Sequence, residues 1–195
     1  MNTWHLQQAR RCVEQGGVIA YPTEAVWGLG CDPNNEQALQ RILDLKQRPW
    51  QKGMLLIAAS LQQLDDVLLP LSVDDRQQLD ATWPGPVTWV LPCVESVSPL
   101  LRGETLNEQP MLAVRITAQP QLRALCLQTG PLVSTSANPA GREPARSLVQ
   151  LRQYFKPATL QQRNGHNVID FVLPGSLGDQ KQPSQIRTLD GRRLR

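Results

Sequence analysis

The sequence has few of the residues on which common enzyme chemistries depend. Its two histidines, His5 and His166, lie far apart, and neither has a cysteine or histidine at ligand spacing, so a zinc site lacks its parts. No G-x-S-x-G elbow, H-E-x-x-H helix or hydrolase triad can be assembled. There is no G-x-x-x-x-G-K-[ST] loop, and Gly28-Leu29-Gly30 runs into Cys31-Asp32-Pro33 where a dinucleotide loop needs a third glycine. Cys12, Cys31, Cys93 and Cys126 are scattered without a C-x-x-C pair, which reads as four reduced thiols. The longest apolar run, Met54 to Ala59, has six residues, against the roughly 20 that cross a bilayer. The opening MNTWHLQQARRCVEQ has neither an apolar h-region nor a small-residue cleavage site, so the expected location is the cytoplasm.

What is present is an ordinary globular composition, 41% hydrophobic and 19% charged over 195 residues, from which one α/β domain spanning residues 1–195 is expected. Lysine is scarce: of 20 cationic residues four are Lys and 16 are Arg, whose planar donor fork suits phosphates and carboxylates. Charge is unevenly divided. Residues 1–145 carry 11 basic and 14 acidic side chains, and residues 146–195 carry 9 and 3, so the C-terminal quarter has a net charge of +6.

Apolar spacing predicts an opening helix over 4–15 with a glycine stop at Gly16-Gly17. Strands follow at 18–21 and 25–31 around a Pro22-Thr23-Glu24 corner. A helix capped by Asn34 or Asn35 should run to Pro49, leaving Lys46 and Arg48 at its frayed end. A strand at 55–59 and helical patterns at 61–68 and 72–81 come next, then strands at 87–91 and 112–116 flanking an irregular 93–109. The last clear elements are a helix over 120–128, a strand at 132–136 and a helix over 147–155. Several strand pairs lack an intervening helix, so the sheet should be mixed.

Four places could carry chemistry. Lys46-Gln47-Arg48-Pro49-Trp50-Gln51-Lys52 puts three cations where a helix ends; they could grip a polyphosphate or simply oppose the helix dipole. Ser134-Thr135-Ser136-Ala137-Asn138 closes a strand with three hydroxyls and an amide, which suit phosphate or ribose but equally an ordinary turn. Thr23 and Glu24 interrupt a strand, as a bulge or toward a pocket. Arg115 within Met-Leu-Ala-Val-Arg-Ile must face solvent or meet an anion.

Taken together, PTEAVWGLGCD at 22–32, LKQRPWQKG at 45–53, WPGPVTWVLP at 83–92, LAVRI at 112–116 and STSAN at 134–138 resemble the YrdC/TsaC family of threonylcarbamoyl-AMP synthases, in the same order and over nearly the whole chain. The resemblance implies a twisted mixed sheet with surrounding helices and a concave basic cavity. It implies a nucleotidyltransferase that joins L-threonine, bicarbonate or CO2, and ATP with Mg2+ into threonylcarbamoyl-adenylate and pyrophosphate. A downstream tRNA threonylcarbamoyl transferase complex would then use the adenylate to modify adenosine next to the anticodon. The Lys-x-Arg and Ser-x-Asn signatures become Lys46 with Arg48, the catalytic pair, and Ser136 with Asn138. Arg48, Lys52, Ser136, Asn138 and Arg195 would lie on ATP, and Thr23, Arg115, Ser134 and Ser184 on threonine, with no dedicated protein ligands for the metal. Some relatives place a histidine after Lys-x-Arg where this chain has Met54-Leu55-Leu56-Ile57. A different reading, a non-catalytic module for double-stranded RNA or tRNA, follows from the basic C-terminal quarter.

Overall fold

Leu6, Ala9 and Val13 form the buried stripe of helix α1 (Thr3–Glu14), and the chain leaves it through Gly16 at φ +75°. The computed structural model describes residues 3–104, 109–157, 168–180, 182 and 184–194. Strands β1 (Ile19–Pro22) and β2 (Trp27–Gly30) pair antiparallel around the Pro-Thr-Glu corner. Gly28 and Gly30 serve packing: a Cβ on Gly28 would lie 2.9 Å from the Tyr21 ring, and one on Gly30 only 2.3 Å from Val133 O. The bare strand makes room for Tyr21, which is fully buried and donates its hydroxyl to Val133 O at 3.0 Å. Glycine here is needed because backbone and ring approach closely, and no ligand is required to explain it.

Asn35 caps helix α2 (Glu36–Lys46), its Oδ1 accepting from Ala38 N at 2.9 Å. The helix does not fray: Lys46 is its last residue and 4% exposed, and Gln47 closes it in the left-handed region at φ 49°, its N–H bonded to Asp44 O and Leu43 O. A short 3-10 turn (Trp50–Lys52) leads to β3 (Leu55–Ala58). Of the helical patterns expected next, 61–68 yields only a 3-10 turn (Leu61–Leu64), and 72–81 yields α3 (Val73–Asp80), closed at its start by a Ser72–Asp75 capping box.

The remaining elements are β4 (Val87–Pro92), α4 (Pro99–Arg102) inside the stretch expected to be irregular, β5 (Met111–Ile116), α5 (Pro120–Thr129), β6 (Leu132–Ser136) and α6 (Leu148–Tyr154). After them come β7 (Lys156–Pro157), β8 (Val168–Ile169), β9 (Phe171–Val172) and β10 (Gln185–Thr188). Eight of these strands form one sheet in the order β10-β4-β5-β3-β6-β2-β1-β9. The pairs β10–β4, β3–β5 and β1–β9 are parallel and the other four antiparallel, so the sheet is mixed, as expected.

Strand alternation then decides what each face carries. Leu56, Ala58, Val114 and Val133 point into the larger core with Leu39 and Ile42 of α2. Ile57, Ala59 and Leu132 point to the opposite face, under Leu6 and Val13 of α1 and Leu122 and Leu125 of α5. Those two helices cover only part of that second face.

Candidate functional site

Beyond α1 and α5 the second face is open among the described residues, and register lays a row of residues across six strands there, with a step of two residues on β6. Gly28 pairs with Ser136, Ser134 with Leu55, Leu55 with Ala113, Ala113 with Val90, and Val90 with Thr188. Every member of the row lines a cavity of about 740 Å³, within the usual size range for small-molecule sites. The cavity walls are the Thr23–Trp27 corner, the turn before β3, and Gln180, Gln182 and residues of the 184–194 segment. Part of the basic C-terminal quarter is thus built into a wall: β10 and the turn after it, closed by Thr188 N to Arg192 O at 3.0 Å and Leu194 N to Ile186 O at 2.8 Å, supply Ile186, Leu189 and Arg192 to the lining.

The lining is mixed in charge. Among the described residues Arg48, Lys52, Arg102, Arg115 and Arg192 outnumber Glu24, Glu104 and Asp190 five to three. At the deep end four polar side chains are nearly removed from water: Thr23 is 6%, Arg115 5%, Ser134 4% and Ser184 7% exposed. Thr23 donates its hydroxyl to Val26 O at 2.7 Å, which closes the corner. Ser184 shares a hydrogen bond of 3.0 Å with Thr88, a fully buried hydroxyl on β4. Arg115 makes no hydrogen bond to any described residue; its Nη2 lies 3.3 Å from Glu24 Oε2, and both Arg115 Nε and Glu24 Oε2 are buried without a hydrogen-bond partner there. Buried polar atoms in folded proteins are nearly always paired, so Arg115, which lines the cavity with Glu24 as its one charged partner among the described residues, is a group with capacity left for an anion.

The Lys-x-Arg and Ser-x-Asn segments meet, but behind the wall. The Lys46 ammonium donates to Ser136 O, to Asn138 O at 2.9 Å and to Asn138 Oδ1 at 3.3 Å, and the Lys46 carbonyl accepts from Ala140 N at 2.7 Å. Asn138 also accepts from Ser136 Oγ at 2.7 Å and donates to Arg142 O at 2.7 Å. Neither Lys46 nor Asn138 belongs to the cavity lining, whereas Ser136, Arg48 and Lys52 do. Lys46 therefore staples the loop that presents Ser136. Burial, reinforced by the nearby Arg48 charge, lowers its pKa to about 7. Arg48 is half-buried and ties the next turn, its Nη2 donating to Lys52 O and Gly53 O at 3.0 Å each.

Of the residues expected at the site, Thr23, Arg48, Lys52, Arg115, Ser134, Ser136 and Ser184 share this one cavity, and Arg195, like His166, lies outside the described residues. Sequence reasoning missed Arg102. It enters the wall because Met54 N bonds to Leu101 O at 2.7 Å and Glu104 N to Gln51 O at 3.0 Å, contacts between segments some 50 residues apart that no local pattern announces. Among the described residues no three His, Cys, Asp or Glu side chains gather as a metal site.

The family model for Sua5/YciO/YrdC, described as "Telomere recombination", matches residues 11–194. The chain belongs to the Sua5/YciO/YrdC family. It is 47% identical over 188 residues to the threonylcarbamoyl-AMP synthase of Hahella chejuensis, covering 96% of this chain and 95% of that one. It is 48% identical over 190 residues to the threonylcarbamoyl-AMP synthase of Nitrosococcus oceani, covering 97% and 94%. Among solved structures, P. abyssi Sua5 complexed with L-threonine superposes with a TM-score of 0.86 at 26% identity over all of this chain, which spans 54% of that longer protein. E. coli YciO superposes with a TM-score of 0.76 at 25% identity, covering 96% of this chain and 84% of that one. Sua5/YciO/YrdC members thus share the mixed sheet described above.

Proposed function

We propose that this chain makes threonylcarbamoyl-AMP and pyrophosphate from L-threonine, bicarbonate or CO2, and ATP. Arg115 carries the reading: a buried guanidinium that makes no hydrogen bond to a described residue lines one cavity with the Thr23, Ser134 and Ser184 hydroxyls, in a chain related at 47–48% identity to threonylcarbamoyl-AMP synthases. A small amino acid suits that end: its carboxylate meets Arg115, and its hydroxyl and amine meet side-chain oxygens. The wider end, with Arg48, Lys52 and Ser136 in its wall, suits a polyphosphate.

The chemistry needs cations more than an acid and a base. Once threonine carries a carbamate, the carbamate oxygen attacks the α-phosphorus and pyrophosphate leaves, so negative charge builds on the phosphates. Arg48 and Lys52 offset it, and positioning supplies much of the remaining acceleration. Lys46 and Asn138 act at one remove, by holding Ser136 in place. Mg2+ enters with the nucleotide, since Glu24 is engaged by Arg115 and Thr117, and Asp190 by Thr188 and the backbone of Arg192, leaving few free carboxylates for a protein-held ion. Threonylcarbamoyl-adenylate would then pass to the transferase complex that modifies tRNA.

Mixing the protein with ATP, Mg2+, bicarbonate and L-threonine is expected to release pyrophosphate in proportion to threonine consumed. Equal release without threonine would refute the reading. Binding of double-stranded RNA or tRNA with no threonine-dependent turnover would favour the rival module instead.

A further inference from the structure

Glu24 is a buried carboxylate that the proposed reaction does not use. Its exposure is 8%, and its backbone is pinned where the segment before β10 crosses the corner: Gly178 N donates to Thr23 O at 2.9 Å and Gln180 N to Glu24 O at 3.0 Å. Its side chain is held by a directed chain of hydrogen bonds. Gln119 N donates to Thr117 Oγ1 at 3.1 Å, which leaves the Thr117 hydroxyl proton to point at Glu24 Oε1, 2.8 Å away. With Oε1 held, the second oxygen is aimed at Arg115 Nη2 at 3.3 Å. Thr117 is itself fully buried, so nothing in solvent competes for that bond.

The geometry points to Glu24 and Thr117 as positioning residues of the amino-acid site. They set the orientation of the Arg115 guanidinium and balance its charge while the site is empty. This rests on the proposed function for the identity of the ligand, but the ordering of Arg115 does not. An arginine that makes no hydrogen bond to its surroundings has only the Glu24 charge to hold it, and a planar fork binds a carboxylate well only when its plane is fixed beforehand.

The test compares Glu24→Gln, Thr117→Val and Thr117→Ser with the wild type by steady-state kinetics, by calorimetric titration with L-threonine and by thermal melting. Loss of a hydrogen bond or ion pair to a charged group predicts a KM for threonine raised roughly 10- to 100-fold in Glu24→Gln, with kcat at saturating threonine and KM for ATP within about twofold. Thr117→Val, which keeps the carboxylate but frees it, should shift the same way by less, and Thr117→Ser should behave as wild type. An unchanged KM for threonine in Glu24→Gln and Thr117→Val overturns the inference. So does a parallel loss of melting temperature, ATP affinity and kcat in both, which would mean a merely structural role. If the wild type binds threonine but does not turn over, the synthase reading fails and the calorimetric Kd of the variants still decides this one.

Discussion

Lys46→Met is expected to lose turnover by about 100-fold or more, the usual consequence of displacing a reacting group by an ångström, while the protein stays folded. Two terms oppose each other in its stability. The substitution leaves Asn138 O without a donor, at a cost of about 1–3 kcal/mol for a partly buried carbonyl, while Asn138 Oδ1 keeps Ser136 Oγ and Ser136 O keeps Asn138 N. It also removes a buried cation whose pKa has fallen from 10.5 to about 7, at about 1.4 kcal/mol per unit. Relief of the buried charge offsets the stranded carbonyl, so the protein stays folded while the Ser136 loop loses its tie to α2.

The pH dependence separates the two terms. With a folded-state pKa near 7 and an unfolded value of 10.5, the unfolded chain holds more protons at this position between those limits. The Lys46 contribution to stability accordingly rises with pH through that window, is complete above 10.5 and is lost as pH falls through 7. The gap in unfolding free energy between wild type and Lys46→Met should widen in favour of wild type from pH 7 upward. Turnover should move the other way, because a neutral amine has two N–H donors for three oxygens. A gap that stays flat across the window would refute the assignment of Lys46 as a buried, titrating staple.

Much of the fold was legible because its signals are local. The α1 stripe, the Asn35 cap, and the β5 and β6 runs all appear within one or two residues of their expected limits. The pattern at 61–68 failed because short apolar spacing cannot distinguish a 3-10 turn from a helix, and the Lys46 end did not fray because tertiary bonds to Asn138 and Ala140 seal it. At the site, Thr23, Ser134 and Arg115 were named from motifs. Their convergence depends on strand register, with Ser134 opposite Leu55 and Arg115 opposite Ile57, and register is set by long-range pairing. The same register shows what stands near Arg115 in place of the histidine of some relatives: Met54 and Leu55 are in the cavity wall, and Ile57, fully buried, lies beside Arg115 under α5. An apolar wall there leaves Arg115, Glu24 and the hydroxyls as the polar groups at that end of the cavity.

That dependence makes Arg115 the second position where a large effect is expected. Arg115→Ala should raise the KM for threonine more than about 100-fold, since a charge-assisted pair to a buried carboxylate is lost outright. It should also cost about 3–5 kcal/mol in stability, because Glu24 is left as a buried charge with no opposite charge beside it, holding only its hydrogen bond from Thr117. The two losses have different origins and can be separated. Adding Glu24→Gln to Arg115→Ala removes the stranded charge, so the double variant should regain stability in a denaturant titration yet remain blind to threonine. Arg115→Lys should keep most of the stability while losing affinity, because an ammonium matches the charge of Glu24 but not the planar fork that meets a carboxylate. If Arg115→Lys binds threonine as tightly as wild type, point charge alone suffices and the orientation of the guanidinium has no part in recognition. If the double variant is no more stable than Arg115→Ala, Glu24 was never held by Arg115.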